Sequence, residues 1–212
     1  MLRRRFVPPV ALLCAVAGAT SASAQRLDRI SVQAGGMYQR FTGQEKSQTD
    51  PGTGFEAQVR YHSRGLSVGG GVDYVQHTRT YASLEGTPPG IVVRKADAKF
   101  TGVFVEPRFS LGDARRALQP YFLLRAGYGR ATPDVVTATG TTEGKVTSLT
   151  WNGGLGMLLR IAGPLSGDLG VSGGVVKWKS DDKAGAARSF ASSTVTNGNW
   201  TARAGFSLAL AR

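Results

Sequence analysis

Apolar and polar residues alternate with a period of two along much of the chain. The clearest run is 55–61, which reads Phe-Glu-Ala-Gln-Val-Arg-Tyr, and similar runs recur in about eight segments between Ile30 and Leu210. A period of two places successive side chains on opposite faces of a β-strand. In these runs one face is apolar throughout and the other carries charges. If the apolar face contacts lipid, the pattern predicts a transmembrane β-barrel, because unpaired strand edges are too costly in hydrocarbon.

Eight strands are predicted, each close to the roughly 9–11 residues that a tilted strand needs to cross a bilayer. They cover residues 30–40, 55–62, 66–77, 99–110, 120–130, 148–161, 168–178 and 200–210. The connections between them alternate in length, with short turns at 63–65, 112–116 and 163–167 and long loops at 43–54, 78–98, 131–147 and 179–199. Short periplasmic turns and long extracellular loops are typical of outer-membrane barrels. The predicted fold class is therefore all-β, an eight-stranded antiparallel up-and-down transmembrane β-barrel, with a soluble exported β-sandwich as the alternative.

The first 24 residues have the features of a secretory signal peptide. Three arginines at 3–5 precede an apolar stretch at 10–19, and Ala22-Ser23-Ala24 forms a small-residue cleavage site. We therefore expect a signal peptide at 1–24 and an outer-membrane barrel domain at 25–212. The single cysteine, Cys14, falls within the signal peptide, so the mature chain has no thiolate ligands and no disulfides. No metal and no cofactor are predicted.

The aromatic residues give the barrel a direction. If odd-numbered strands run outward, three tyrosines end outward strands, and a phenylalanine and two tryptophans begin inward ones. All six would then lie at the outer lipid boundary, where aromatic girdles occur. The predicted outer girdle is Tyr38, Phe55, Tyr74, Tyr128, Trp151 and Trp200.

Part of the chain resembles a hairpin that small outer-membrane barrels often carry. The residues are Val103-Phe104-Val105-Glu106-Pro107-Arg108-Phe109, then Gln119-Pro120-Tyr121, then Arg125-Ala126-Gly127-Tyr128-Gly129. With its alternation, the mature chain resembles the eight-stranded group that includes OmpA-like transmembrane domains and OmpX-like proteins. The resemblance implies a monomer in the outer membrane of a Gram-negative cell, inserted by the outer-membrane assembly machinery and in contact with outer-membrane lipids and lipopolysaccharide. These motifs specify a fold and not an activity.

Charged residues recur on the face opposite the apolar one, which would be the barrel interior. An eight-stranded interior is just wide enough for side chains to fill it, and buried charges must be paired. We therefore predict an interior polar network that plugs a barrel with a structural or surface-interaction role, and a narrow gated conduit is the alternative. The predicted members are Glu56, Arg60, Asp73, His77, Glu106, Arg108, Arg125, Arg160, Asp168 and Arg203.

Two further functions stay open as alternatives. A lipid A-modifying enzyme would use His77 as a base oriented by Asp73, four residues earlier on the same face. No serine nearby stands out as a nucleophile, so no catalytic residue is predicted and the chain is not expected to be an enzyme. The other alternative is a narrow channel for small apolar molecules.

The charge of the chain indicates its surroundings. A formal net charge of +12 often indicates nucleic-acid binding. An exported protein, however, meets the phosphates of lipopolysaccharide first, and no nucleic-acid partner is predicted. Contact with those phosphates is the hypothesis for the basic residues of the long loops, namely Arg79, Arg94, Lys95, Lys145, Lys177, Lys179 and Lys183.

Overall fold

A computed structural model describes residues 30–42, 49–63, 65–85, 90–111, 117–137, 140–143, 146–180 and 195–210. These residues form nine β-strands: β1 (Ile30–Thr42), β2 (Gly52–Ser63), β3 (Leu66–Glu85), β4 (Gly90–Ser110), β5 (Leu118–Thr137), β6 (Gly140–Glu143), β7 (Val146–Ala162), β8 (Leu165–Ser180) and β9 (Val195–Ala209). Within these ranges, no helix is long and apolar enough to cross a membrane. The predicted signal peptide lies outside the described residues.

Eight of the strands close into a barrel. Each long strand pairs antiparallel with the long strands before and after it in the chain, and β1 pairs with β9 to close the sheet. The short β6 pairs with the outer end of β5 and takes no part in the closure. The predicted eight-stranded antiparallel up-and-down barrel is confirmed. The alternative of a β-sandwich is wrong, because the eight strands form one closed sheet.

The stagger of the barrel follows from the strand register. Paired residues lead once around the barrel in the order Val32, Val59, Gly70, Val105, Ala126, Trp151, Val175, Gly198 and Thr42. The path returns to β1 ten residues beyond its start, so each strand lies little more than one residue higher than the last. Eight strands with this stagger are tilted by roughly 40° and enclose an interior that side chains fill.

The distribution of polarity is the reverse of that in a water-soluble protein. Val59, Leu124 and Val171 are each more than half exposed on the outside of the barrel, whereas Gln58 and Arg60 are buried inside it. Side chains alternate between the two faces along every strand of the closed sheet. A closed barrel with an apolar exterior is stable in a bilayer, because closure leaves no unpaired strand edge in the lipid.

The turns at the inner end are tight, and glycine makes two of them possible. Gly65 and Gly163 have φ angles of 87° and 51°, in the left-handed region that other residues rarely adopt. Gly65 lies between β2 and β3, and Gly163 between β7 and β8. The carbonyl of Gly65 also accepts a bond from the backbone N–H of Ser110 at 2.7 Å, which links the first of these turns to the end of β4.

The outer end differs from the prediction, because strands extend into segments expected to be loops. β3 and β4 remain paired for eight positions beyond His77↔Ala98, out to Glu85↔Gly90. β5 likewise continues past Ala131 and pairs there with β6. Outside the membrane neither face of a strand has to be apolar, so the alternation that reveals the other strands is lost here. The sequence therefore could not distinguish these polar ribbons from loops.

Candidate functional site in the barrel interior

Glu106 lies at the centre of the barrel interior, where four arginines contact its carboxylate. Arg60 Nη2 and Arg108 Nε each donate to Oε1 at 2.7 Å. Arg125 Nε donates to Oε2 at 2.9 Å and Arg203 Nη1 to the same oxygen at 2.5 Å. Glu106 and Arg60 are both 0 % exposed. One carboxylate thus joins arginines from β2, β4, β5 and β9, which tie together distant parts of the barrel wall.

Three further carboxylates surround this centre. Glu56 accepts a bond from Arg125, and Asp168 Oδ2 lies 2.8 Å from Arg108 Nη1. Asp73 is more distant, with Oδ2 3.8 Å from Arg125 Nη1. The Glu106 cluster, defined as these four acids and the four arginines, has equal numbers of positive and negative groups. Because buried charges are costly unless they are paired, this balance allows eight ionic groups to share one interior.

Neutral groups complete the hydrogen bonding around the cluster. Arg60 donates through Nη1 to Ser67 Oγ at 3.1 Å and through Nη2 to Gln58 Oε1 at 2.9 Å. Gln58 in turn donates to Gln33 at 2.8 Å, and Gln33 to Ser207 at 3.1 Å. This chain of amides and hydroxyls runs from the ionic cluster across β1 to β9. It orients the guanidinium group of Arg60, because both Nη atoms of this group have defined acceptors.

Tyr121 is a member of this site that the sequence analysis missed. Its hydroxyl donates to Asp168 Oδ1 at 2.5 Å, and Arg203 Nη2 donates to the same hydroxyl at 3.3 Å. The Arg108 guanidinium lies over its ring, 4.4 Å from the centroid. The signal was present in the sequence, since Tyr121 is four residues before Arg125 and therefore on the same face of β5.

Pro107 interrupts the strand pairing beside the cluster. Pairing between β4 and β5 runs to Val105↔Ala126 and resumes at Arg108↔Leu123. Proline has no N–H to donate to a sheet. The backbone carbonyl of its neighbour Glu106 accepts a bond from Arg60 Nη1 at 3.1 Å. A side chain from inside the barrel therefore satisfies a backbone group next to the gap in the ladder.

Interior glycines make room for the long arginine side chains. A Cβ atom on Gly69 would lie 2.8 Å from Arg60 Nη2, and one on Gly170 would lie 2.8 Å from Arg203 Nε. Both distances are shorter than a non-bonded contact allows. Much of the glycine within these strands therefore faces large interior side chains, which explains how a narrow barrel holds four arginines.

An apolar layer, the aromatic cap, lies above the Glu106 cluster. Phe41 is at its centre, with ring centroids 5.8 Å from Phe100 and 5.7 Å from Trp178. Ala131, Val146 and Val176 pack around these rings. The sequence analysis did not predict this layer, because it treated every interior position as polar.

His77 is part of this cap rather than of the Glu106 cluster. Its ring lies 4.9 Å from that of Phe41, centroid to centroid, and it is 1 % exposed. Nδ1 is 2.9 Å from the backbone oxygen of Asp50, and Nε2 is 3.2 Å from Gln39 Oε1. The hypothesis that Asp73 orients His77 is therefore wrong, because both ring nitrogens have other partners.

Between the two layers is a small cavity of about 60 Å³. It is lined by Asp73 and Arg125 from below, by Phe41 and Phe100 from above, and by Asn152 at the side. Within the described residues, the buried Oδ1 of Asn152 has no hydrogen-bond partner. This space is large enough to hold water molecules.

The remaining predicted interior residue, Arg160, is in a different position from the others. It lies near the inner end of β7, where its side chain is exposed and the register shifts between Arg160 and Ala162. The arginines that contact Glu106 are buried. Arg160 is therefore exposed at the barrel mouth and is not buried among the arginines that contact Glu106.

The six residues of the predicted girdle all have outward positions. Phe55, Tyr128 and Trp151 are more than half exposed. The other three pack against aromatic neighbours, Tyr38 against Trp200 with centroids 5.3 Å apart and Tyr74 against Phe55 at 5.4 Å. Once the stagger between strands is taken into account, the six differ in height by about two residue positions. We call this level the aromatic belt.

These features place the chain among transmembrane barrels. The sheet closes, its exterior is apolar, and an aromatic belt marks one end of the apolar surface. It has the fold of a small eight-stranded outer-membrane barrel. In bacteria such barrels reside in the outer membrane.

One solved structure supports this fold, and two further matches have TM-scores below 0.5. Neisserial surface protein A (NspA) has a TM-score of 0.56 and 15% identity, and the match covers 85% of this chain and 97% of NspA. Ail, the attachment invasion locus protein of Yersinia pestis, matches with a TM-score of 0.45 and 20% identity over 84% of this chain and 97% of Ail. The N-terminal β-barrel domain of Pseudomonas aeruginosa OprF matches with a TM-score of 0.41 and 12% identity, and the match covers 84% of this chain and 96% of that domain. No protein-family model and no curated protein sequence matches the chain.

Proposed function

We propose that the protein is a closed, non-conducting barrel whose role is structural or interactive at the cell surface. The Glu106 cluster carries this proposal. Its central carboxylate is inaccessible to solvent, and four arginines from four strands converge on it. An ion would have to displace several charge-assisted hydrogen bonds to pass. The aromatic cap closes the outer side a second time.

The parts outside the membrane support the interactive role. β3 and β4 project well beyond the last pair that joins β4 to β5, and β5 extends with β6. Backbone pairing gives these ribbons a defined shape, which a binding surface needs. Outer-membrane lipids, lipopolysaccharide and the assembly machinery are the partners we propose for the protein as a monomer.

The proposal is tested by measuring current across planar bilayers that contain the purified full chain. We expect a flat trace at 100 mV, with heat-modifiable gel migration as evidence that the barrel is folded. Reproducible conductance steps from folded wild-type protein would contradict a closed interior. A purified chain that remains monomeric and folded in buffer without detergent would contradict the membrane role itself.

A narrow gated conduit is a second candidate, supported by the cavity between the two layers. Arg125 borders that cavity and also contacts Glu106, so a change in its rotamer would open the cluster toward the cavity. If the barrel conducts, replacing Arg125 with glutamine should change the frequency of current steps. Equal frequencies in the variant and the wild type would argue against a gate at this residue.

We propose no catalytic activity. The two ring nitrogens of His77 are engaged by Asp50 and Gln39, and His62 Nε2 is 2.8 Å from Ser31 Oγ at the other end of the barrel. Incubation of the reconstituted protein with lipopolysaccharide, followed by mass spectrometry of the lipid A, tests this directly. We expect an unchanged mass profile, and loss or gain of an acyl chain would establish an enzyme.

A further inference from the structure

Charge is distributed unevenly over the outside of the barrel. From the inner end of the strands up to the aromatic belt, the outward positions of the described residues carry no charged side chain. Above the belt, cations appear at once. Arg130 is the next outward position after Tyr128 on β5, and Lys177 is the next after Val175 on β8. The change from apolar to basic therefore occurs within one outward position.

Four of these cations form a continuous surface, which we call the basic patch. Its members are Lys99 on β4, Arg130 on β5, and Lys177 and Lys179 on β8, and all four are exposed. Arg130 pairs with Thr147 and Thr147 pairs with Lys179, so the three lie in one row across β5, β7 and β8. Two strand spacings separate the Cα atoms of Arg130 and Lys179 by about 10 Å.

The patch is confined to one side of the molecule. On the opposite side, the described outward positions just above the belt on β1, β2, β3 and β9 carry a single cation, Arg40. Two described acids lie near the edge of the patch. Asp97 is the next outward position above Lys99 on β4 and accepts a bond from Gln76 at 2.8 Å, and Asp50 is 3.6 Å from Lys95. Asp97 can therefore offset part of the charge of Lys99, whereas the described outward positions next to Arg130, Lys177 and Lys179 carry no acid.

The position of the patch indicates what it binds. One outward position along a strand tilted by roughly 40° is a rise of about 5 Å, so the cations lie just above the hydrocarbon boundary that the belt marks. In the outer leaflet of an outer membrane, this level is occupied by the phosphate groups of lipid A. Lipid A carries a phosphate at each end of its disaccharide, and the patch has two basic groups on either side of Thr147.

We propose that the basic patch binds one lipid A molecule through its two phosphates, with Lys99 and Arg130 at one phosphate and Lys177 and Lys179 at the other. Arginine and lysine form charge-assisted bonds to phosphate oxygens, and Arg130 can do so with two N–H groups. Tyr128 and Trp151 lie directly below and would contact the first carbons of the acyl chains. This inference rests on the proposed outer-membrane role, and it adds a specific ligand and a side of the barrel.

The test compares lipid A binding by the wild type and a charge-neutral patch. The full chain, folded in zwitterionic detergent, is titrated against fluorescent bis-phosphorylated lipid A at 0.15 M salt, with anisotropy as the readout. The test variant carries Lys99→Gln, Arg130→Gln, Lys177→Gln and Lys179→Gln, and Arg40→Gln is the matched control on the other side. We expect at least a tenfold loss of affinity in the variant, since each cation beside a phosphate contributes about fivefold. The control should change by less than twofold, because Arg40 lies on the other side of the barrel and contacts neither phosphate.

Four further measurements make the result decisive. Dephosphorylated lipid A should bind the wild type and the variant equally, and heat-modifiable migration should show that both are folded. Equal affinity of wild type and variant for the bis-phosphorylated form would overturn the proposal. An effect of Arg40→Gln as large as that of the fourfold variant would also overturn it. So would binding of phosphatidylglycerol vesicles as tight as that of bis-phosphorylated lipid A. If the fourfold variant does not fold, the paired variants K99Q/R130Q and K177Q/K179Q should each lose at least threefold. None of these outcomes depends on whether the barrel conducts, which the bilayer currents decide separately.

Discussion

Replacing Glu106 with glutamine is the most informative perturbation of this barrel. The change keeps the volume and shape of the side chain but removes the one carboxylate that four arginines share. Glu56, Asp73 and Asp168 would remain to balance Arg60, Arg108, Arg125 and Arg203, leaving one buried positive charge without compensation. Removing one partner of a buried ion pair costs about 3–5 kcal/mol, and Glu106 has more partners than a single pair.

That cost is large enough to measure by unfolding. A loss of about 3–5 kcal/mol raises the unfolding constant by a factor of roughly 10²–10⁴. With a urea dependence of about 2 kcal/mol/M, the midpoint should fall by roughly 2 M. The assay is equilibrium urea unfolding in lipid vesicles, followed by tryptophan fluorescence and by the fraction of the heat-modifiable form on gels.

The control is Arg160→Gln, which removes an exposed charge at the barrel mouth and should change stability by less than about 0.5 kcal/mol. Combining Glu106→Gln with Arg203→Gln should cost less than the sum of the two single changes, because the second change removes the uncompensated charge. If Glu106→Gln behaves like Arg160→Gln, or if the double variant is strictly additive, the Glu106 cluster does not hold the barrel together as described.

Three other predictions concern different parts of the molecule. Gly54→Ala should destabilise the barrel by about 1–3 kcal/mol in the same unfolding assay, because its Cβ would overlap the backbone oxygen of Tyr74 and lie 2.7 Å from the Cα of Val75. Gly36→Ala should be neutral, because the nearest neighbour of its Cβ is 3.9 Å away. Leu155→Arg should lower the free energy of unfolding by about 2–4 kcal/mol, because this position faces lipid. Thr147→Arg, above the belt, should lower it by at most about 1 kcal/mol. Equal losses would mean that the belt is misplaced. Phe41→Ala should lower stability by about 3 kcal/mol, because it removes the central ring of the aromatic cap. The variant should still give no bilayer current, because the Glu106 cluster remains closed beneath the cap. Current from this variant would mean that the cap is the main barrier to ions.

The strands within the membrane could be predicted from the sequence because the bilayer imposes a strict pattern. Val59 and Leu155 must face lipid, and the residues next to them must face the interior, so the alternation is unbroken there. It could be anticipated that interior acids such as Glu106 pair with interior arginines such as Arg60 and Arg125, since charges in a narrow interior need partners. That Glu106 is the shared centre could not be predicted, because it depends on the register of strands far apart in the chain.

The aromatic cap shows where the same reasoning fails. Phe41 and Phe100 occupy interior positions above the belt, where the interior is no longer surrounded by lipid. Interior positions there can be apolar, as in any protein core, and the alternation no longer distinguishes inside from outside. The assignment of His77 failed for the same reason, since an interior histidine four residues from an aspartate can equally pack into an apolar layer.

The long β3–β4 ribbon has a consequence for how this surface can change over time. Eight residue pairs beyond the barrel wall extend it by about 25 Å, and its shape is set by bonds between backbone groups. Substitutions there leave those bonds in place. The side chains of this ribbon can therefore vary in chemistry, while the backbone frame that presents them stays the same.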